Sequence, residues 1–277
     1  MAKKEKKDKT SKKEKKLLKE DYAQRNIQKL RGFNLIMGFL HLIQGIFMIV
    51  ISNDTTYPVY TNYLNYDNVL TSGVVPDPKV LFEVPFGIAV AIFLLLSAVA
   101  HFALGTFAYK WYAENLRKGM NPARFYEYAL SSSLMVVLIG MLNGVWDFYA
   151  LILMFGVNAM MNLFGIVMEK HNQTTKKTDW TAFVFGTFAG VFPWIAIVGT
   201  FIGTLSRSDA KPPDFVYFIL PTIFVFFNIF AVNMVLQYKK VGKWKNYLYG
   251  ERMYIILSLL AKTALAWQIF AGTLAPI

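Results

Sequence analysis

The chain has 277 residues, 55% of them hydrophobic, no cysteine and a formal net charge of +12. Without cysteine there is neither a disulfide framework nor a thiolate metal site. Thirteen Lys or Arg and five acidic residues crowd positions 1–31, so the charge belongs to a tail and does not mark a nucleic-acid-binding body.

That tail opens with KKEKKDKTSKKEKK and buries too little apolar surface to order itself. It is read as a largely disordered, solvated segment over 1–31 that touches anionic headgroups. Its basic region is too long for a signal peptide, and no cleavage site follows the first apolar run. Seven apolar spans come next, at roughly 32–52, 84–108, 125–148, 150–168, 180–205, 215–238 and 253–274. Each is close to the ~20 residues that a helix needs to cross a bilayer core. Internal Gly156 and Pro193 are tolerated in membrane helices. Between the first two spans, residues 53–83 are rich in Tyr, Thr and Val, which predicts an external β-hairpin. The expected fold is therefore an all-α membrane protein, a seven-helix bundle over 32–277 behind the basic tail.

Orientation follows from the basic residues. With a cytosolic N-terminus, the inner segments are the tail and the loops near 109–124, 169–179 and 239–252, which together hold twenty-five Lys or Arg. The outer segments hold three, Lys79, Arg207 and Lys211. The protein is expected in the cell membrane, surrounded by lipid, with its C-terminus outside.

The remaining basic residue, Lys262, lies inside span seven, ten residues past Arg252 and so ~15 Å below the inner boundary. Its side chain reaches only about 6 Å, too short to snorkel, and a lone cation there costs several kcal/mol. It must be deprotonated, paired with a carboxylate or covalently changed, for instance as a Schiff base with an aldehyde. The same ruler sets His41 ~15 Å deep in span one and His101 ~13 Å deep in span two. Ser97 and Gln44 extend that layer. Among the acids, Glu127 is the nearest in depth, yet only ~5 Å past Arg124 and so ~10 Å shallower than Lys262. Asp147 mismatches by roughly 19 Å in the other direction. Counting alone leaves the partner open, and each buried histidine reads equally well as a hydrogen-bonded core residue.

Several stretches, in order, are specific. They are FN at Phe33, HLIQ at 41–44, LSAVAHF at 96–102, YEYALSSS at 126–133, FGVNA at 155–159, PWI at 193–195 and GERMYIILSLLAKTALAWQIF at 250–270. From about Phe33 to Ile277 the chain resembles the heliorhodopsins, seven-helix retinal proteins of inverted orientation. The resemblance implies that Lys262 carries all-trans retinal as a protonated Schiff base with Glu127 as counterion. It implies that His41, His101, Ser97 and Gln44 form a polar network on the cytoplasmic side. It further implies that Ser258 stands beside the Schiff base, that Tyr128, Asn158 and Trp267 lie in or near the pocket, and that the protein forms a homodimer. The long basic tail departs from the family pattern.

The function implied is a photoreceptor, not an enzyme: a non-pumping light sensor with a slow photocycle and an unknown cytoplasmic signalling partner. Outward proton pumps carry a second carboxylate about three turns beyond the counterion. Here the positions one and three turns past Glu127 are Ser131 and Leu138. A light-gated proton conductance is the alternative, since Glu127, His41 and His101 can pass protons down a gradient. A light-independent solute transporter is the third class, and retinal binding separates it from the others.

Overall fold

The computed structural model describes residues 2–66, 75–207 and 216–275. Residues 67–74, Lys211 and the last two residues lie outside the described residues. Eight α-helices and one two-stranded sheet follow in order: α1 (Ala2–Ile51), β1 (Thr56–Asn65), β2 (Val75–Pro85), α2 (Phe86–Gly105), α3 (Tyr109–Arg117), α4 (Pro122–Leu142), α5 (Phe148–His171), α6 (Thr181–Arg207), α7 (Val216–Tyr238) and α8 (Tyr247–Ile269). All but the short α3 are long and apolar enough to cross a membrane.

Local chemistry sets the helix ends. Asn121 caps α4 by accepting the Arg124 N–H, with Pro122 in the first turn. Asn246 caps α8 by accepting from Leu248, so the last span starts at Tyr247 and not near 253. The break between the third and fourth spans comes earlier than the expected 148. Gly144 takes a positive φ of 94°, open to glycine without strain, and Asp147 then caps α5 by accepting the Ala150 N–H at 2.9 Å. Residues 109–117, read from sequence as part of an inner loop, form α3, which buries Tyr112, Ala113 and Leu116.

In the structure α1 runs unbroken from Ala2 through the basic segment. Lys, Glu and Gln are good helix formers, and an apolar helix already nucleated on their C-terminal side extends through them at little cost. Asp21 and Arg25 pair one turn apart at 2.7 Å, and Ile27 and Leu30 are buried under the bundle.

The hairpin forms as expected, antiparallel from Thr56↔Pro85 to Asn65↔Val75, with an irregularity between Val59 and Tyr60. It is tied to the bundle where the Tyr60 N–H donates to the Trp146 carbonyl at 3.0 Å. The Asn53 amide donates to the Thr273 carbonyl at 3.0 Å, joining the segments that follow α1 and α8. Large side chains such as Phe39, Val99, Phe188 and Ile195 face outward, as lipid-exposed helix faces require. Helix pairs approach over small residues. A Cβ on Gly165 would lie 2.0 Å from the Phe125 ring, which fixes α5 closely against α4.

Candidate functional site

Lys262 is the natural starting point, being a long cation on a helix that is otherwise apolar at this depth. In a helix the side chain leans back toward the N-terminus. Accordingly the Lys262 Nζ lies 3.1 Å from the Ser258 hydroxyl, one turn earlier on α8. It donates at 2.6 Å to Glu127 Oε1 from α4 and at 2.5 Å to the Ser97 Oγ from α2. The Ser97 hydroxyl also lies 2.6 Å from the same carboxylate oxygen. The side chains of Lys262 and Glu127 are only 4% and 12% exposed. Three helices thus close a small ring of amine, carboxylate and two hydroxyls.

The depth mismatch counted along the sequence disappears for two reasons. Folding back brings the lysine nitrogen about one turn, ~5 Å, nearer the inner boundary. Arg124, the residue from which Glu127 was measured, is not at the membrane boundary. Its side chain is 4% exposed and lies inside the bundle, paired with Glu169 of α5 and Glu251 of α8.

His41 and His101 do share a layer. Their rings stack with centroids 5.5 Å apart and planes 10° from parallel. Both nitrogens of the fully buried His41 lack a protein partner. His101 Nδ1 meets the Asn34 Oδ1 at 2.7 Å. The Asn34 amide nitrogen donates to the Leu30 carbonyl at 2.9 Å and toward the Tyr112 hydroxyl at 3.3 Å. That pattern turns the Asn34 oxygen toward the ring, so His101 Nδ1 carries the hydrogen. Burial raises the Tyr112 phenol above its usual range, with Glu251 adding to the effect. Sequence reasoning missed Asn34 and Tyr112, although Asn34 lies two turns before His41 on the same face of α1. Gln44 does not join the ring: its amide donates to the Leu40 carbonyl of its own helix at 3.3 Å.

Beside this ring lies a cavity of about 600 Å³ between α4, α5, α6, α7 and α8. Its wall is mainly apolar and aromatic, with Phe183, Trp194, Phe224, Phe227 and Phe230 prominent. Tyr128 belongs to that wall, and the Lys262 Nζ is 5.3 Å from its ring centroid. The Tyr128 hydroxyl donates to the Tyr254 carbonyl at 3.1 Å. Asn158 is buried and donates to Ser132 and Ser133 at 2.9 and 3.0 Å, holding the polar stretch of α4 against α5. Trp267 is not part of the cavity wall. It is 38% exposed and packs edge-on against Phe270, because five residues past Lys262 on α8 carry it well round the helix. Trp194 is the tryptophan that lines the cavity, packed edge-on against Phe224 and Phe227.

A buried amine beside Tyr128, which lines an aromatic cavity, suits an apolar aldehyde such as retinal. The cavity volume falls within the roughly 300–1,000 Å³ of small-molecule sites. Among the described residues no cluster of three or more His, Cys, Asp or Glu suits a metal ion. The heliorhodopsin family model matches residues 30–274, which is most of the chain. No curated protein matches it.

Proposed function

The chain belongs to the heliorhodopsin family of retinal-binding light-sensing membrane proteins, and we propose that it is a non-pumping light sensor holding all-trans retinal on Lys262. Linked to the Lys262 amine as a Schiff base, retinal supplies visible absorption and light-driven isomerisation. The residues around it do the rest. Glu127 balances the buried positive charge, which would otherwise cost several kcal/mol. Ser97 and Ser258 fix the nitrogen relative to that carboxylate. The aromatic wall around Trp194 excludes water and orients an apolar chain.

The observation that carries the non-pumping reading is the state of the acid outward of Glu127. Asp147 is engaged as the cap of α5, and the stretch of α4 before it, from Leu134 to Leu142, is apolar. Aliphatic side chains neither donate nor accept a proton. The stacked histidines, with both nitrogens of His41 unpartnered, favour a second reading, a proton conductance opened by light. The twenty-five-to-three basic asymmetry supports a cytosolic N-terminus. A homodimer and a cytoplasmic signalling partner extend the reading on the resemblance alone.

The test is expression with all-trans retinal, an absorption spectrum, and then external pH recorded from illuminated cells. A visible band with no sustained pH change is the expected result. Stationary acidification or alkalinisation removed by an uncoupler overturns the non-pumping reading. A photocurrent whose sign follows the imposed proton gradient selects the conductance.

A further inference from the structure

A second group of buried charges lies close to the Lys262 ring. Arg124 of α4 donates to Glu169 of α5 at 2.7 Å and to Glu251 of α8. The exposures of the three side chains are 4%, 2% and 1%. Glu169 also accepts the Asn121 N–H at 2.6 Å and meets the Tyr247 hydroxyl at 3.3 Å. Glu251 also accepts from the Asn121 and Gln237 amides at 2.7 and 3.4 Å.

Charge counting is the crux. Two carboxylates share one guanidinium, and among the described residues no second cation is within ion-pair distance of either. The other titratable groups near the cluster include Tyr112, Tyr128, Tyr238, Tyr247 and Tyr254, none of which supplies a positive charge. With both acids ionised the cluster would carry an uncompensated buried negative charge, which is expensive in a bundle core. One bound proton removes it.

The hydrogen bonds say where the proton sits. Every partner of Glu251 named above can only donate as oriented, and the Gln237 amide is held that way by the Tyr247 carbonyl at 3.1 Å. Glu169 has the Tyr247 hydroxyl at 3.3 Å, which can turn from donor to acceptor, and the same hydroxyl also reaches Glu251 and so links the two acids.

A small cavity of about 30 Å³ is lined by Asn121, Arg124 and Glu251 of this cluster and by His101, Glu127 and Ser258 from the surroundings of the lysine. A water molecule needs about 10–15 Å³, so the space takes one or two. Arg124 borders that space, and its buried Nε–H, which has no protein partner, is a donor free for such a water.

We propose that the Arg124–Glu169–Glu251 cluster is a second proton site, storing one proton on Glu169 in the dark and exchanging it with the Glu127–Lys262 end during the photocycle. On release the O–H bond of Glu169 breaks and leaves a carboxylate held by Arg124. The proton passes by the Tyr247 hydroxyl to Glu251, which borders the small cavity, and through water there to whichever of Glu127 and the Lys262 nitrogen has been emptied. Return along the same path restores the dark state.

Infrared spectroscopy of the purified pigment tests both halves. In the dark, the full-length protein is expected to show a carboxylic-acid C=O band that shifts in D₂O, shifts again with ¹³C-labelled glutamate, and is lost in Glu169→Gln but kept in Glu251→Gln. The isotope arms need no variant, so misfolding of either one does not shelter the proposal. Absence of a buried glutamic-acid band in the dark overturns it, as does loss of the band only in Glu251→Gln. Under illumination the Glu169 band is expected to bleach and recover with the visible pigment. A band that stays constant through a complete photocycle overturns the exchange. The exchange presupposes the light-sensor reading, but a protein without a visible band fails that reading alone, because the dark measurement still reports on Glu169.

Discussion

Lys262 Nζ and Glu127 Oε1 are 2.6 Å apart although 135 residues separate them in the chain. The contact forms because the lysine folds back one turn along α8 and because Arg124 draws the start of α4 into the bundle. Both partners are buried, so each is the main source of compensation for the other.

Replacing Lys262 by Ala is expected to abolish pigment formation while the protein still inserts in the membrane. No other lysine among the described residues lies inside a membrane span at this depth. The check is an absorption spectrum of purified, correctly sized protein with added all-trans retinal. A surviving visible band would move the chromophore attachment elsewhere.

Glu127→Gln is expected to shift the visible band strongly to the red, or to replace it near neutral pH with the near-ultraviolet band of a neutral Schiff base. Removing the carboxylate leaves the cation without its partner, so the neutral form gains relative to the charged one. Loss of one partner from a buried pair costs about 3–5 kcal/mol, enough to lower the melting temperature as well. An unchanged spectrum and titration would point to another counterion, Asp147 being next to examine.

The two tryptophans are expected to behave differently. Trp194→Ala removes a wall of the cavity and should displace the absorption maximum and slow pigment formation several-fold. Trp267→Ala faces outward and should leave both nearly unchanged. Equal spectral shifts in the two variants would contradict the placement of the cavity.

Topology gives a fourth outcome. A tag at the N-terminus is expected to be reachable only after the membrane is opened, and a tag after Ile277 on intact cells. Labelling of the N-terminal tag on intact cells would reverse the orientation, and with it the side from which the Arg124 cluster faces the cytosol.

Seven spans, the hairpin after the first and the isolation of Lys262 were all legible in the sequence. The reason is that a bilayer imposes length and apolarity on each helix separately, and strand propensity acts locally in the loop. The identity of its neighbours was less accessible. A residue count along a helix measures the height of a Cα atom, but neither side-chain reach nor rotation about the axis. So it misjudged Glu127 by about two turns of helix. Reach and rotation also took Trp267 away from the cavity, put Trp194 there, and drew Gln44 back to its own helix.

The largest difference concerns Arg124. In sequence it is one more basic residue on the inner side, counted toward orientation and used as a mark for the membrane edge. In three dimensions Glu169 and Glu251 arrive from two other helices and enclose it. Composition and hydropathy determined that the chain crosses the membrane seven times with one lysine inside. Which charges meet there was decided by the packing of α4, α5 and α8, because a buried charge is stable only where groups distant in sequence converge to neutralise it.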